Sequence, residues 1–365
     1  MLGTDKRVNK VKSDKTGSQE YFNNLIFPVI AVIFGLVAGG IFMVIIGKNP
    51  FKAYQVLINS SFGSLRGFSE MLVNTTPLIF TGLSVAFAFR TGLFNIGGEG
   101  QFLVAYTATA WVGYALSLPW FIHVPLALIA GIIAGGLWGG IAGYLKAKMG
   151  VHEVITTIML NYIGFHYVGF LLGKKLKDPS VALPATPVIK ETAQLHKLLP
   201  PRLNTSILLA LIAAVLVYYI LWKTTIGYEI RAVGLNPEAS RYGGINVGKS
   251  MVLAMFISGA LAGLAGSTQV MGLEPRAYQP FGFLGYGFTG IAVALLGKNH
   301  PAGVVLGALL FGVLARGSNQ MQSLAGVPKE VIEVIQAIII LFVAAEYAFK
   351  LLAQKTSQKG VGAGD

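Results

Sequence analysis

The chain has 365 residues, of which 54% are hydrophobic and only 12% carry a charged side chain. A soluble protein of this length could not hide so much apolar surface, so the composition excludes that class and indicates a protein that crosses a membrane several times. The absence of cysteine excludes disulfides and thiolate chemistry, and the net charge of +13 fits the flanks of membrane helices better than a nucleic-acid site.

The first 24 residues have the composition of a basic tail. They contain Lys6, Arg7, Lys10, Lys12 and Lys15. Because no apolar stripe accompanies these charges, we predict a disordered cytoplasmic tail over 1–24. It is not expected to be a cleaved signal peptide, because the apolar run that follows, 26–47, can span a bilayer and lacks a small-residue cleavage site.

Apolar runs close to the length that crosses a bilayer dominate the rest of the chain. We predict transmembrane helices at 26–47, 71–90, 97–118, 122–145, 153–173, 204–222, 250–271, 282–297, 301–316 and 330–349. The expected fold is an all-α polytopic membrane protein of about ten transmembrane helices, forming one domain over 25–350. An even number of crossings and the basic tail place both termini in the cytoplasm, with 351–365 as a C-terminal tail.

The segment RTGLFNIGGEGQ, residues 90–101, places three polar side chains, Asn95, Glu99 and Gln101, beside glycines in apolar sequence. A charged carboxylate at the bilayer centre costs about 2.5–3.5 kcal/mol, so Glu99 should face protein, water or the membrane interface. Two interpretations stay open. Glu99 either lies in the first, positive turn of the third helix, or it fixes a backbone break near a translocation path together with Gln101.

Asn161, in the fifth predicted helix, is a further candidate for that path, although single polar residues in spans more often join helices. The predicted outer loop, 174–203, contains five prolines and should be irregular and exposed, so a protein outside the cell could dock on it. Its six basic residues run against the positive-inside rule, which long loops obey only weakly.

A polar segment, 224–249, interrupts two strongly apolar runs and carries the signals of one short helix. Asn236 can cap its N-terminus, Pro237 suits the first helical position, and Glu238 favours the positive end. Gly243 and Gly244 would end it. So short a helix cannot stabilise itself, because nucleation costs more than its few hydrogen bonds return. We therefore expect a cytoplasmic loop, 223–249, whose helix packs on a protein partner.

Three motif-like patterns are not expected to carry chemistry here. Residues 243–250, GGINVGKS, match the phosphate-loop pattern but lead into a membrane span instead of linking a strand to a soluble helix. Residues 285–290 give G-x-G-x-x-G without a flanking soluble strand. His152 and Glu153 begin H-E-x-x-H, but Thr156 replaces the second histidine. The sequence thus predicts no catalytic residue, no metal site and no cofactor.

Three stretches carry a resemblance to a known family: GLFNIGGEGQF at 92–102, IGYEIRAVGLNPEASRYGGINV at 226–247 and SGALAGLAG at 258–266. Together they resemble the permease subunits of ABC importers in the branched-chain amino acid and simple sugar group. The sequence of the first stretch and the presence of a lysine-rich N-terminal extension make the chain most similar to bacterial nucleoside, or guanosine, uptake permeases. The resemblance covers about residues 25–350, which then form a permease domain.

The resemblance implies a multi-pass subunit of the bacterial cell membrane, working with two cytoplasmic ATPase subunits, a second permease that is expected to be a different chain, and an extracellular substrate-binding lipoprotein. ATP hydrolysis would then occur in the ATPase, so this chain is not expected to be an enzyme. The residues that match the family's ATPase-coupling helix are Asn236, Pro237, Glu238, Ala239, Ser240 and Arg241.

Two other classes compete with this interpretation. An ion-coupled secondary transporter would use Glu99 as its titrating group, yet such proteins usually place several ionisable groups at the midplane. An intramembrane enzyme would need a nucleophile, metal ligands or paired carboxylates in a span, and the sequence offers none of these. The resemblance leaves the exact solute open.

Overall fold

The computed structural model describes residues 28–345 of the chain. The predicted tails at 1–24 and 351–365 lie outside the described residues. The helices are α1 (Pro28–Ile45), α2 (Pro50–Phe62), α3 (Leu65–Phe89), α4 (Gly98–Ala115), α5 (Trp120–Met149), α6 (Glu153–Phe170), α7 (Ser206–Lys223), α8 (Thr225–Leu235), α9 (Pro237–Tyr242), α10 (Val247–Gly272), α11 (Tyr286–Leu296), α12 (Pro301–Ala325) and α13 (Glu330–Ala344).

A helix occupies each of the ten segments predicted to cross the membrane. Within the described residues, seven helices are long and apolar enough to span a bilayer: α1, α3, α5, α6, α7, α10 and α12. Helix α11 is apolar but has only 11 residues. The chain is therefore a mostly helical, multi-pass membrane protein, while ten crossings and the side of the termini stay predictions.

The structure adds two short strands, a π-helical turn and a 3₁₀ turn to the all-α prediction. Strands β1 (Lys197–Leu199) and β2 (Leu203–Asn204) form a small antiparallel hairpin in the predicted outer loop. A π-helical turn, Leu171–Lys175, extends α6, and a 3₁₀ turn, Glu191–Ala193, precedes the hairpin.

The same outer loop is more ordered than its prolines predict. Ala185 pairs with Tyr278 in an isolated antiparallel bridge, and the amide of Thr186 donates to the carbonyl of Ala277 at 2.9 Å. Arg276 and Asp178 form an ion pair of 3.6 Å. The expectation of an exposed loop is therefore wrong for this part, because backbone hydrogen bonds to the segment after α10 hold it against the helices.

The described residues form two compact units, of which the smaller contains 28–55 and 321–345. Its helices α1 and α13 pack closely: the rings of Phe34 and Phe342 stack at 5.0 Å. A Cβ added to Gly35 would lie 2.4 Å from a side-chain carbon of Ile339, so a glycine is needed at this contact.

The larger unit, 56–320, is organised around the contact between α5 and α10. Glycines line both sides of this contact. A Cβ on Gly135 would lie 2.5 Å from the carbonyl oxygen of Gly259, and one on Gly139 would lie 2.5 Å from that of Met255. Because lipid offers no hydrophobic drive for helix association, such close backbone packing is what joins membrane helices.

Buried hydroxyl pairs add polar links to α10. Ser84 of α3 and Ser258 of α10 lie 3.0 Å apart between their Oγ atoms, and Ser258 also donates to the carbonyl of Ser84 at 2.7 Å. Thr109 of α4 and Ser267 of α10 form a second pair at 2.8 Å. These bonds place α3 and α4 on the same helix that contacts α5.

Candidate functional site

The short helix α9 forms where the sequence predicts it. The side-chain oxygen of Asn236 accepts a hydrogen bond from the amide of Ala239 at 3.0 Å, and Pro237 occupies the first turn. At the other end the amide of Gly243 donates to the carbonyl of Ala239 at 3.0 Å, and Gly244 has a φ of +82°. The chain therefore leaves the helix through a left-handed position that favours glycine.

Most of the α9 surface is exposed. Glu238 and Arg241 are both exposed and lie 3.9 Å apart at their charged atoms, and the Tyr242 side chain at the helix end is 93% exposed. Ser240 is the exception, because it is buried and its hydroxyl donates to the carbonyl of Asn236 at 2.8 Å. The helix is thus fixed on one side and presents a charged pair and an aromatic ring on the other.

A second helix in the polar segment, α8, was missed by the sequence analysis. The hydroxyl of Thr224 accepts from the amide of Gly227 at 3.1 Å and so caps it. Ile230 and Val233 are buried, and a Cβ on Gly234 would lie 2.2 Å from the carbonyl oxygen of Arg90. Helix α8 is therefore packed on the connection that leads from α3 to α4.

That connection is held by a buried network centred on Asn95. Asn95 and Gln101 exchange two side-chain hydrogen bonds of 2.9 and 3.0 Å. Asn95 also accepts from the amide of Gly97 at 2.9 Å and donates to Ser258 of α10 at 2.7 Å. Both amide side chains are at most 1% exposed. The network replaces helical hydrogen bonds at the point where α4 begins.

Asn161 of α6 joins the same structure from a neighbouring helix. Its side-chain oxygen accepts from the amide of Gly100 at 2.8 Å, and its nitrogen donates to the carbonyl of Ile96 at 2.8 Å. A Cβ on Gly100 would lie 2.8 Å from the carbonyl of Leu160. The predicted candidates Asn95, Gln101 and Asn161 are therefore brought together, and each bonds to the α4 start or to the connection before it.

Glu99 lies in the first turn of α4 and bonds to another helix. Its Oε1 accepts from the backbone amides of Gly287 at 2.6 Å and Phe288 at 3.4 Å, which belong to the first turn of α11 and have no helical acceptor. Gly285, with a φ of +84°, turns the chain into this helix. The carboxylate is completely buried, and its Oε2 has no hydrogen-bond partner among the described residues. The carboxyl group of Glu99 thus faces the positive end of α11.

Helix α11 is too short to cross a bilayer by itself. Eleven helical residues rise about 16 Å, roughly half of the hydrocarbon thickness of a bilayer. The far end of α11 lies beside Arg90, whose guanidinium donates to the carbonyl of Asn299 at 3.0 Å. The contacts of Glu99 and of Arg90 thus lie at opposite ends of α11.

No group of three or more histidine, cysteine, aspartate or glutamate side chains in residues 28–345 is arranged to hold a metal ion. The structural partners that the sequence analysis did not identify are Ser258 and Gly287. Ser258 belongs to the stretch SGALAGLAG, and Gly287 belongs to the G-x-G-x-x-G pattern. The neighbouring sequence does not reveal that Ser258 faces Asn95 or that Gly287 faces Glu99.

Comparison with known proteins gives a consistent result. The family model described as branched-chain amino acid transport system / permease component matches residues 67–344. The guanosine ABC transporter permease protein NupP of Bacillus subtilis is 47% identical, with 93% of this chain and 98% of the relative covered. The nucleoside ABC transporter permease protein NupB of Lactococcus lactis is 38% identical, covering 91% and 93%.

A third relative has a different solute in its name. The glucose ABC transporter permease protein TsgB13 of Haloferax volcanii is 34% identical, and the alignment covers 88% of this chain and 88% of the relative.

Proposed function

The chain belongs to the permease components of the branched-chain amino acid transport system family, and we propose that it moves nucleosides into the cell as one membrane subunit of an ATP-driven importer. As a permease component it lies in the membrane and is not itself an enzyme, since ATP hydrolysis belongs to a separate ATPase subunit. Family membership favours this class over the ion-coupled alternative based on Glu99.

The observation that carries the proposal is the geometry of α9. Its six residues are too few for independent stability, yet its caps are complete and its outer face is exposed. We assign ATPase coupling to this helix, with Asn236 and Pro237 starting it, Ser240 anchoring it, and Glu238 and Arg241 facing the ATPase. Ala239, which is exposed between the two charged residues, would allow close approach of the partner surface.

Nucleosides are the favoured solute class because two of the relatives described above, at 47% and 38% identity, are named for guanosine and nucleosides. The relative named for glucose is less similar, at 34%. A simple sugar is therefore the second candidate. In either case a substrate-binding lipoprotein outside the cell would deliver the solute, and a second, different permease would complete the path.

The proposal also includes the membrane topology. Ten crossings with both termini in the cytoplasm would place α9 on the ATPase side and the hairpin β1–β2 on the lipoprotein side. The four buried residues Asn95, Glu99, Gln101 and Asn161 would hold the broken start of α4 and α11 beside the translocation path. The hydrogen bonds between Asn95 and Gln101, and those that Asn161 and Glu99 accept from the amides of Gly100 and Gly287, support this framing role.

The decisive experiment reverses the exposed charges of α9. We expect the double variant Glu238→Lys/Arg241→Glu to lose the ATPase from the purified complex and to lower nucleoside uptake at least tenfold, with an unchanged permease melting temperature. Lys177→Ala, an exposed change in the predicted outer loop, is the control. Full ATPase retention together with normal uptake in the double variant would refute the coupling role.

A further inference from the structure

A large cavity lies beside the α4 break and is separate from the buried network. It has a volume of about 940 Å³ and is bounded by α4, α6, the outer loop and the segment between α10 and α11. This size lies in the range of small-molecule binding sites, which combine apolar and aromatic walls with a few polar groups. The buried network cannot fill the same role directly, because its side chains are at most 1% exposed and bond to one another.

Aromatic rings form much of the cavity wall. Phe283 makes edge contacts with Phe165 of α6, at 5.5 Å and 62°, and with Phe288 of α11, at 5.9 Å and 82°. These contacts hold the ring of Phe283 in place. Phe281 also lines the cavity, and its side chain is fully exposed. A fixed ring and a free ring on the same short segment are suited to stacking on a planar ligand.

Polar groups occur on the same segment. The carboxylate of Glu274 accepts one hydrogen bond from the hydroxyl of Tyr106, at 2.8 Å, and one from the side-chain amide of Gln269, at 3.0 Å. Both carboxylate oxygens are therefore held in place. Each oxygen keeps a further lone pair for a ligand hydroxyl. Gln279 lines the cavity with an exposed side-chain amide, which can both donate and accept.

We propose that this cavity receives the nucleoside during translocation, with its base stacked on Phe281 and Phe283. The amide of Gln279 would meet the polar edge of the base, and the carboxylate of Glu274 would accept hydrogen bonds from the ribose hydroxyls. This inference rests on the proposed function and names the contacts of its solute. Stacking on aromatic rings tolerates any base, which suits a permease whose lipoprotein has already selected the solute.

The test uses the whole complex in proteoliposomes, with its ATPase, partner permease and lipoprotein, and guanosine as substrate. Phe281→Ala removes an exposed side chain and should leave the fold intact. We expect guanosine uptake at saturating lipoprotein to fall about tenfold, the loss that corresponds to one base stacking contact. Phe281→Trp should retain uptake, and Phe121→Ala, an exposed aromatic of α5, should behave as the unaltered protein.

A second measurement locates the ligand. The photoreactive nucleoside 8-azidoguanosine should label peptides that contain residues 278–284, and excess guanosine should suppress the label while ribose should not. Equal suppression by ribose would overturn the proposal in favour of a sugar site, and labelling confined to 95–101 would overturn it in favour of the buried network.

The cavity assignment and the proposed function can be refuted separately. If the unaltered complex takes up guanosine and Phe281→Ala does so equally well, the cavity assignment is refuted and the proposed function stands. If the unaltered complex takes up no nucleoside, the proposed function itself is refuted, and the cavity assignment with it.

Discussion

Gly98 of α4 lies directly against Gly287 of α11, so that a Cβ added to Gly98 would stand 3.1 Å from the Cα of Gly287. This approach brings the first turns of two helices together and puts the carboxylate of Glu99 within 2.6 Å of the Gly287 amide. A side chain on either glycine would separate the two turns and lengthen this hydrogen bond.

The first prediction concerns Gly287→Ala. The new Cβ would lie 2.6 Å from the backbone nitrogen of Glu99, so α11 must move away from α4. We expect a cost of about 1–3 kcal/mol, as for other overpacked sites, and a clear fall in uptake. Thermal unfolding in detergent measures the first effect. Gly282→Ala is the matched control, since no atom lies within 4 Å of its added Cβ. Equal melting temperatures for the two variants would contradict the close contact between Gly287 and the first turn of α4.

The second prediction separates the capping role of Glu99 from an ion-coupling role. Glu99→Gln keeps an oxygen that can accept from the Gly287 amide, so we expect uptake to continue without any change in ion dependence. Glu99→Ala leaves that buried amide unpaired, at a cost of about 1–3 kcal/mol, and should lower both stability and uptake. Uptake assays with and without a sodium or proton gradient check this. Loss of gradient-dependent uptake in Glu99→Gln would support the ion-coupled alternative instead.

The third prediction uses two neighbouring glycines of α5. Gly139→Ala would place a Cβ 2.5 Å from the carbonyl oxygen of Met255 on α10, whereas the nearest atom to a Cβ on Gly140 is 3.7 Å away, on Phe256. We expect Gly139→Ala to lower the melting temperature by several degrees and Gly140→Ala to change it little. A larger loss for Gly140→Ala would show that the α5–α10 contact is wrongly assigned.

The fourth prediction concerns the N-cap of α9. Asn236→Ala removes the acceptor for the Ala239 amide and should destabilise this short helix by about 0.5–2 kcal/mol. Hydrogen exchange in 237–242 should accelerate, and ATPase binding should weaken, with an unchanged global melting temperature. Asn236→Asp retains an acceptor and should restore both properties. Unchanged exchange in the alanine variant would mean that the partner-free helix is held by other contacts.

The fifth prediction is a pH dependence at His300, between α11 and α12. Its ring packs 5.1 Å from that of Trp222, and burial together with the Arg90 charge lowers the pKa of His300. As the pH falls below about 6.5, the unfolded state takes up a proton before the folded state does, so stability should decrease. The melting temperature should drop less between pH 7.5 and 5.5 in His300→Gln. An equal drop would assign the pH effect to other groups.

Sequence patterns predicted the features that depend on neighbours along the chain. Asn236 and the amide that it caps are three residues apart, and each apolar run contains its own helical hydrogen bonds. Helix α8 was missed because its polar residues hid it from a search for apolar runs. Its buried positions Gly227, Ile230 and Val233 nevertheless recur at helical spacing, so a search for amphipathic periodicity would have found it.

Sequence patterns could not predict contacts between distant parts of the chain. Glu99 and Gly287 are 188 residues apart, and Asn95 and Ser258 are 163 apart. The sequence could show that a buried carboxylate needs a partner, but it could not select a helix start as that partner. The same limit explains the outer loop, whose prolines indicate irregular backbone without revealing the strand-like pairing of Ala185 with Tyr278.

The glycine-lined contact has a mechanical consequence. Helix α10 begins at Val247, only a few residues after α9 ends, and its backbone touches that of α5 with no intervening side chain at Gly259. If the ATPase contacts α9 as proposed, a push on α9 would therefore tilt α10 and α5 together, because their backbones are in direct contact.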